Sequence, residues 1–228
     1  MTSLGISLHS QDMLVILVRK SIFYYLFIYY SPCSMISHAV DTFEYDYYNP
    51  QDNTIATGNS YDRKDQRTIL FFYPADFTFV CPTELADIAT FADNIAKLWQ
   101  TKLYVVSSDT VHAHQQRIRD EAKLHNFPYP MIGDRNHYMS QYFQIYNEKT
   151  GNARRATIIV NPHKVVVSCD VVIDDIGRGA KEIVRRLAAL QYTFAHPGQL
   201  CPSSREPGEK VIVAGSPSFK PEDFFVTM

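Results

Sequence analysis

Thr68-Ile69-Leu70-Phe71-Phe72-Tyr73-Pro74-Ala75-Asp76-Phe77-Thr78-Phe79-Val80-Cys81-Pro82-Thr83-Glu84-Leu85 changes character twice within one short stretch. Thr68–Tyr73 is an apolar run of β-formers bounded by charge and proline, which reads as a buried strand. A loop carrying Pro74 and Thr78 follows. From Pro82 to Gln100 the residues Leu85, Ile88, Phe91, Ala92, Ile95 and Trp99 recur at three- and four-residue steps, the stripe of an amphipathic helix. Cys81 stands just before Pro82, and proline is favoured in the first helical position because its missing N–H would be unpaired there anyway. The thiol is therefore expected at a helix N-terminus, where unpaired N–H groups and the helix dipole favour a thiolate. Thr78 can bring a hydroxyl to the same place. The bland alternative is a buried structural cysteine; the flanking loop, Pro82 and the helix start count against it.

The pattern continues outward as α/β. Lys102–Ser107 is a second buried strand, and Asp109 or Thr110 starts a helix running to about Leu124. Met131–Gly133 reads as a short edge strand, followed by a short helix around His137–Phe143. Ala156–Val160 and Val165–Val172 are β-branched runs joined through Asn161-Pro162-His163-Lys164, a hairpin. Gly179–Gln191 is a last helix with Ile183, Val184, Leu187 and Leu190 on one face. Asp41–Asp65 is polar and reads as an extended, loop-rich lead-in. The expected organisation is an N-terminal extension over 1–40, a domain over 41–191 and an irregular, proline-rich arm over 192–228, with no internal repeat. The domain should be a central mixed β-sheet flanked on both faces by helices.

The extension has its own character. Met13–Tyr30 is apolar and about as long as a minimal membrane span, but Arg19 and Lys20 sit at its centre, where each costs roughly 2.5–3.5 kcal/mol on insertion scales. No single span is expected across that pair. A signal peptide with Ser37-His38-Ala39 as its cleavage site, an anchor, a disordered leader, a folded segment, and a stretch upstream of a true start at Met35 all remain open readings.

Composition excludes several classes of function. In 228 residues, 22 Lys+Arg face 24 Asp+Glu, a formal net charge of −2, so no basic excess points to nucleic acid. Four cysteines, Cys33, Cys81, Cys169 and Cys201, are too few for a disulfide scaffold, and none forms the C-x-x-C of zinc ribbons or dithiol oxidoreductases. Cys169 lies in a β-branched run and reads as a packed sheet thiol; Cys33 lies in the extension. His112 and His114 beside Asp109 are read without a metal. Asp109-Thr110 is a helix-cap signal, and histidines two apart on a helix point to different faces.

The spacing P-x-x-x-T-x-x-C, carried by Pro74, Thr78 and Cys81, resembles the signature of the peroxiredoxins. The longer string from Phe71 to Leu85 is similar to their alkyl hydroperoxide reductase C-type, or typical 2-Cys, branch. Resemblance continues through Ser108-Asp109-Thr110, His114, Arg155-Ala156-Thr157, Asn161-Pro162, Gly177-Arg178, Glu182, Arg185, Ala189-Leu190-Gln191 and Cys201-Pro202 to Pro207-Gly208. It covers about Phe43 to Val213. What it implies is a thioredoxin-like fold and reduction of hydrogen peroxide or an alkyl hydroperoxide. Cys81 matches the peroxidatic cysteine, Thr78 the hydroxyl beside it, and Pro74 the residue shielding the pocket from water. Arg155, with Arg154 adjacent, matches the guanidinium holding the thiolate, and Glu84 the carboxylate positioning the arginines. Cys201 matches the resolving cysteine, which attacks across a subunit interface. The resemblance further implies no metal, haem or flavin in the chain. It implies a homodimer, with a ring of five dimers as the family's habit, and a separate disulfide reductase, thioredoxin-like or a flavoprotein, as partner. A cytoplasmic location is expected, with neither nucleic acid nor membrane engaged. Holdase chaperone or redox-signalling scaffold is the rival class. This chain departs from the pattern where Arg205 replaces a usual tryptophan, in lacking a Gly-Gly-Leu-Gly insertion before Pro128, and in lacking a Tyr-Phe tail motif.

Overall fold

A sheet buried on both faces organises the domain. The computed structural model describes residues 34–60, 66–98, 100–216 and 220, together with the backbone of 5–9, 13–20 and 23–29. In the extension, β1 (Gly5–His9), β2 (Met13–Lys20) and β3 (Phe23–Tyr29) pair antiparallel in a sheet of their own. The domain follows with β4 (Glu44–Asn49), β5 (Thr54–Asn59) and β6 (Thr68–Phe72). Then come α1 (Cys81–Thr90), α2 (Ala92–Lys97), β7 (Lys102–Ser107), α3 (Val111–Asp120), β8 (Met131–Gly133) and α4 (Tyr138–Tyr142). A small hairpin of β9 (Tyr146–Asn147) and β10 (Asn152–Ala153) precedes β11 (Arg155–Val160), β12 (Val166–Val172) and α5 (Ala180–Ala195). In the arm, β13 (Gln199–Leu200) pairs with β14 (Ile212–Val213).

The main sheet has seven strands in the order β12-β11-β6-β7-β8-β4-β5. β6, β7 and β8 run parallel, and the flanking pairs are antiparallel, so the sheet is mixed as expected. All five residues of β6 are buried, the mark of a strand covered on both sides. Alternation sends Ile69, Phe71 and Tyr73 to one core with Leu85, Ile88, Ile95, Ile118, Ile183 and Leu187 from α1, α2, α3 and α5. Leu70 and Phe72 face the other way, onto Met139, Phe143 and Ile158. The helix cover is therefore uneven, with α4 the sole α-helix on the second face among the described residues.

Several expectations shift. The lead-in over Asp41–Asp65 contains the β4–β5 hairpin, in which Tyr45 and Tyr48 turn inward while Glu44 and Asp46 are exposed; polar outward residues hid its alternation. Met131–Gly133 is an interior strand, because β4 pairs beyond it. The helix read over Pro82–Gln100 is two, broken at Phe91 (φ −100°, ψ 13°). There Thr90 Oγ1 donates to the Asp87 carbonyl at 2.7 Å, a local bond that competes with helical pairing. Trp99 lies outside the described residues. α3 ends at Asp120, capped at its start by Thr110, and a 3-10 turn at Ala122–Leu124 buries Leu124. α5 runs on to Ala195, and its first amide, Ala180 N, donates to Asp87 Oδ2 of α1 at 2.7 Å, locking the two helices together.

Residues 34–40 are tied to the domain. Ser37 N donates to Val166 O at 2.9 Å and Val40 N to Lys164 O at 2.7 Å. Met35 and Val40 pack against the second core. Cys33 lies outside the described residues.

Candidate active site

β6 ends under the first core, and Tyr73 N still donates to Val106 O at 2.9 Å before the chain leaves the sheet at the buried Pro74. The loop that follows is held by a buried polar network. Asp76 Oδ1 accepts from Tyr73 Oη at 2.8 Å and Arg117 Nη1 at 2.7 Å, and Oδ2 lies 2.7 Å from His114 Nδ1. Asp76 N donates to Asp109 Oδ2 at 2.7 Å, which also accepts from Ser107 Oγ at 2.6 Å. His114 and Asp109 thus tie the loop to β7 and α3.

Burial alone would raise the Asp76 carboxyl, but His114 and Arg117 outweigh it and hold it below its ordinary value. Its folded value is the depressed one, so the stabilisation is present above the unfolded value and is lost as pH falls through the folded one. Asp76→Asn is expected to cost about 3–5 kcal/mol at neutral pH, since Arg117 loses a buried partner. Urea unfolding below pH 4 should show a smaller gap between wild type and variant than at pH 7. A constant gap would contradict the role of the charge.

Cys81 is the first helical residue of α1, one position later than the sequence reading placed it, with Val80 as N-cap and Pro82 next. Its side chain is fully buried. Thr78 Oγ1 lies 2.8 Å from Sγ and 3.0 Å from the Ala75 carbonyl. Arg155 Nη1 donates to Sγ at 3.3 Å and to Glu84 Oε2 at 2.7 Å, and its Nε donates to the Asp174 carbonyl at 2.8 Å. Arg154 is exposed, as the alternation of an extended chain dictates, so Arg155 is the arginine of the site. Burial works against the charge on Arg155, but the Cys81 sulfur and Glu84 carboxylate outweigh it and hold its pKa above the ordinary guanidinium value.

A further arginine, quoted in the sequence but given no role there, completes the cluster. Arg178 donates through N and Nε to Glu84 Oε1 at 2.8 and 2.9 Å, and through Nη2 to the Phe72 carbonyl at 2.8 Å. Its guanidinium stacks 3.7 Å from the centroid of Phe71. Burial lowers its pKa, and Glu84 offsets this in part. The preceding Gly177 allows the approach, for a Cβ there would meet Val80 Cγ1 at 3.3 Å. Glu84, 2% exposed, thus holds two arginines, and one of them reaches the sulfur.

Cys201 is half-buried in the arm and, like Cys81, is a free thiol. Its Sγ lies 3.8 Å from the Ala189 carbonyl and 3.8 Å from Arg205 Nη1, surroundings separate from those of Cys81. Cys169, expected as a packed sheet thiol, is instead disulfide-bonded while packing against the second core. Among the described residues no helix is long and apolar enough to cross a membrane.

A thiol at a helix N-terminus, met by a hydroxyl and a guanidinium on a mixed α/β sheet, defines a class of thiol-dependent peroxidases. The sequence profile of the AhpC/TSA family matches residues 36–169, and the chain belongs to that family. Alkyl hydroperoxide reductase C of Salmonella typhimurium is 38% identical over 151 residues, 66% of this chain and 80% of that protein. Alkyl hydroperoxide reductase C of Staphylococcus saprophyticus is 35% identical over 182 residues, 80% of this chain and 96% of the relative. The crystal structure of Enterococcus faecalis AhpC superposes with a TM-score of 0.70 at 33% identity, covering 74% of this chain and 99% of that one. The chain is accordingly an oxidoreductase, a thiol peroxidase of the peroxiredoxin kind. Family membership carries with it a peroxide substrate and self-association.

Proposed function

We propose that this enzyme reduces hydrogen peroxide and alkyl hydroperoxides through a sulfenic acid on Cys81 and an intersubunit disulfide between Cys81 and Cys201. The observation that carries the reading is the convergence of Thr78 Oγ1 and Arg155 Nη1 on the buried Cys81 Sγ. A thiolate accepts such donors more strongly than a thiol does. The sulfur donates an electron pair to one peroxide oxygen, the O–O bond breaks, and the other oxygen leaves with a proton as water or alcohol. Arg155 stabilises charge developing on oxygen and Thr78 orients the peroxide. Pro74 shields the pocket, and Glu84 and Arg178 hold Arg155 in place. Cys201 of a neighbouring subunit then attacks the sulfenic sulfur, the S–O bond breaks, and hydroxide leaves to take up the proton released from Cys201. A separate disulfide reductase returns two electrons, in the cytoplasm, where such a cycle is sustained.

The exposed Phe79 (97%), Phe77, Ile173 and Ile176 support association of at least two subunits, and a ring of five dimers is the assembly we propose. Non-reducing electrophoresis after stoichiometric peroxide tests the scheme. Wild type should give a covalent dimer that Cys81→Ser and Cys201→Ser each abolish. A dimer persisting in Cys201→Ser would remove Cys201 from the reaction. A principal biological effect surviving Cys81→Ser would favour a chaperone or scaffold instead.

A further inference from the structure

The arm folds back on α5 around one buried arginine. Arg205 is 6% exposed, its guanidinium lies 4.3 Å from the ring centroid of Tyr192, and its Nε donates to the Glu209 carbonyl at 3.1 Å. Tyr192 is itself fixed, donating to Gln199 Oε1 at 2.6 Å. So clamped, the guanidinium presents Nη1 to Cys201 Sγ at 3.8 Å. The Ala189 carbonyl lies at the same 3.8 Å from the sulfur. The two contacts act in opposite senses. A carbonyl can accept the proton of a thiol and repels a thiolate, whereas a guanidinium only donates and favours the thiolate. Of the other charges around the sulfur, Arg185 on α5 is paired chiefly with Glu182, and also feels Glu206 and Cys201.

We propose that Arg205 makes Cys201 a competent nucleophile by directing Nη1 at its sulfur, stabilising the thiolate that attacks the Cys81 sulfenic acid. The proposal rests on Cys201 being the resolving thiol. In that step the S–S bond forms, the S–O bond of the sulfenic acid breaks, and the departing hydroxide becomes water with the proton Cys201 gave up. The flat guanidinium packs on Tyr192 and carries a charge to the sulfur at the same time.

The test is a pulse of iodoacetamide on the fully reduced protein, read at the Cys201 peptide by mass spectrometry, beside dimedone trapping of the Cys81 sulfenic acid after peroxide. Arg205→Trp keeps a flat ring for Tyr192 without charge; Arg205→Lys keeps charge without the flat stack; Arg205→Met keeps neither. Arg205→Trp and Arg205→Met should slow Cys201 alkylation about tenfold and lengthen the sulfenic lifetime, while Arg205→Lys stays near wild type. A purely packing role moves the first readout the other way, since a loosened arm exposes the sulfur and speeds alkylation. Unchanged or faster alkylation in either uncharged variant overturns the proposal, as does Arg205→Lys as slow as Arg205→Trp. A wild-type chain that forms no Cys81–Cys201 disulfide defeats the resolving role, and the proposal with it, whatever the alkylation rates. Disulfide formed with alkylation unchanged defeats the role of Arg205 alone.

Discussion

Arg155→Met is expected to lower the second-order rate constant for peroxide reduction by about 10²–10³-fold, the usual cost of removing one fixed donor from developing oxygen charge. The reason is geometric. Nη1 is shared between Cys81 Sγ at 3.3 Å and Glu84 Oε2 at 2.7 Å, so in the proposed mechanism this one guanidinium serves both the sulfur and the oxygen charge that develops beside it. Methionine fills a similar volume without any donor. The fold should survive, because Glu84 keeps Arg178 through contacts at 2.8 and 2.9 Å. Arg155→Lys should recover part of the rate. An ammonium retains the charge but cannot span sulfur, carboxylate and the Asp174 carbonyl at once, as the planar fork does. Stopped-flow measurement of Cys81 oxidation, with a thermal melt as control, reads both effects. A rate within about threefold of wild type would show that the charge does not act on the chemical step.

Glu84→Ala is expected to destabilise the fold by about 3–5 kcal/mol, the cost of leaving buried charge without its partner. Two guanidiniums, on Arg155 and Arg178, converge on this one carboxylate, and all three side chains are almost fully enclosed. Without it they face each other across a cavity, and the pKa of Arg178, already lowered by burial, loses the group that offsets that effect. Peroxidase activity should fall as well, since Arg155 loses its tether. Removing Arg178 at the same time, as Glu84→Ala with Arg178→Met, should cost less than the sum of the two single changes, because the second removes the orphaned charge. Chemical denaturation of the four proteins measures the coupling. Strict additivity would mean that Glu84 and Arg178 do not act as a pair.

How much of this could be read beforehand depended on where each signal resides. β6, β7, the β11–β12 hairpin and α5 were legible because their residues carry unbroken apolar runs or a strong helical stripe. The β4–β5 hairpin was not, since its outward residues are polar and its inward ones are tyrosines scattered through a loop-like composition. The break at Phe91 was equally silent, because the apolar stripe runs straight across it. At the site, Thr78, Cys81 and Glu84 stand within one loop and helix start, so motif and spacing located them together.

By itself the sequence determined where the thiol of the site sits: a cysteine delivered by a buried strand and a proline to a helix start, with a threonine at hand. Those are contacts within a few residues, set by backbone geometry. Only the tertiary structure decided which charges meet that sulfur. It chose Arg155 over Arg154, added Arg178 and drew both onto Glu84 from 71 and 94 residues away. It also seated Arg205 on Tyr192 beside Cys201 and placed Cys169 in a disulfide. The physical reason is that a side chain's partner across a sheet follows from strand order and register, and these depend on the packing of both cores at once.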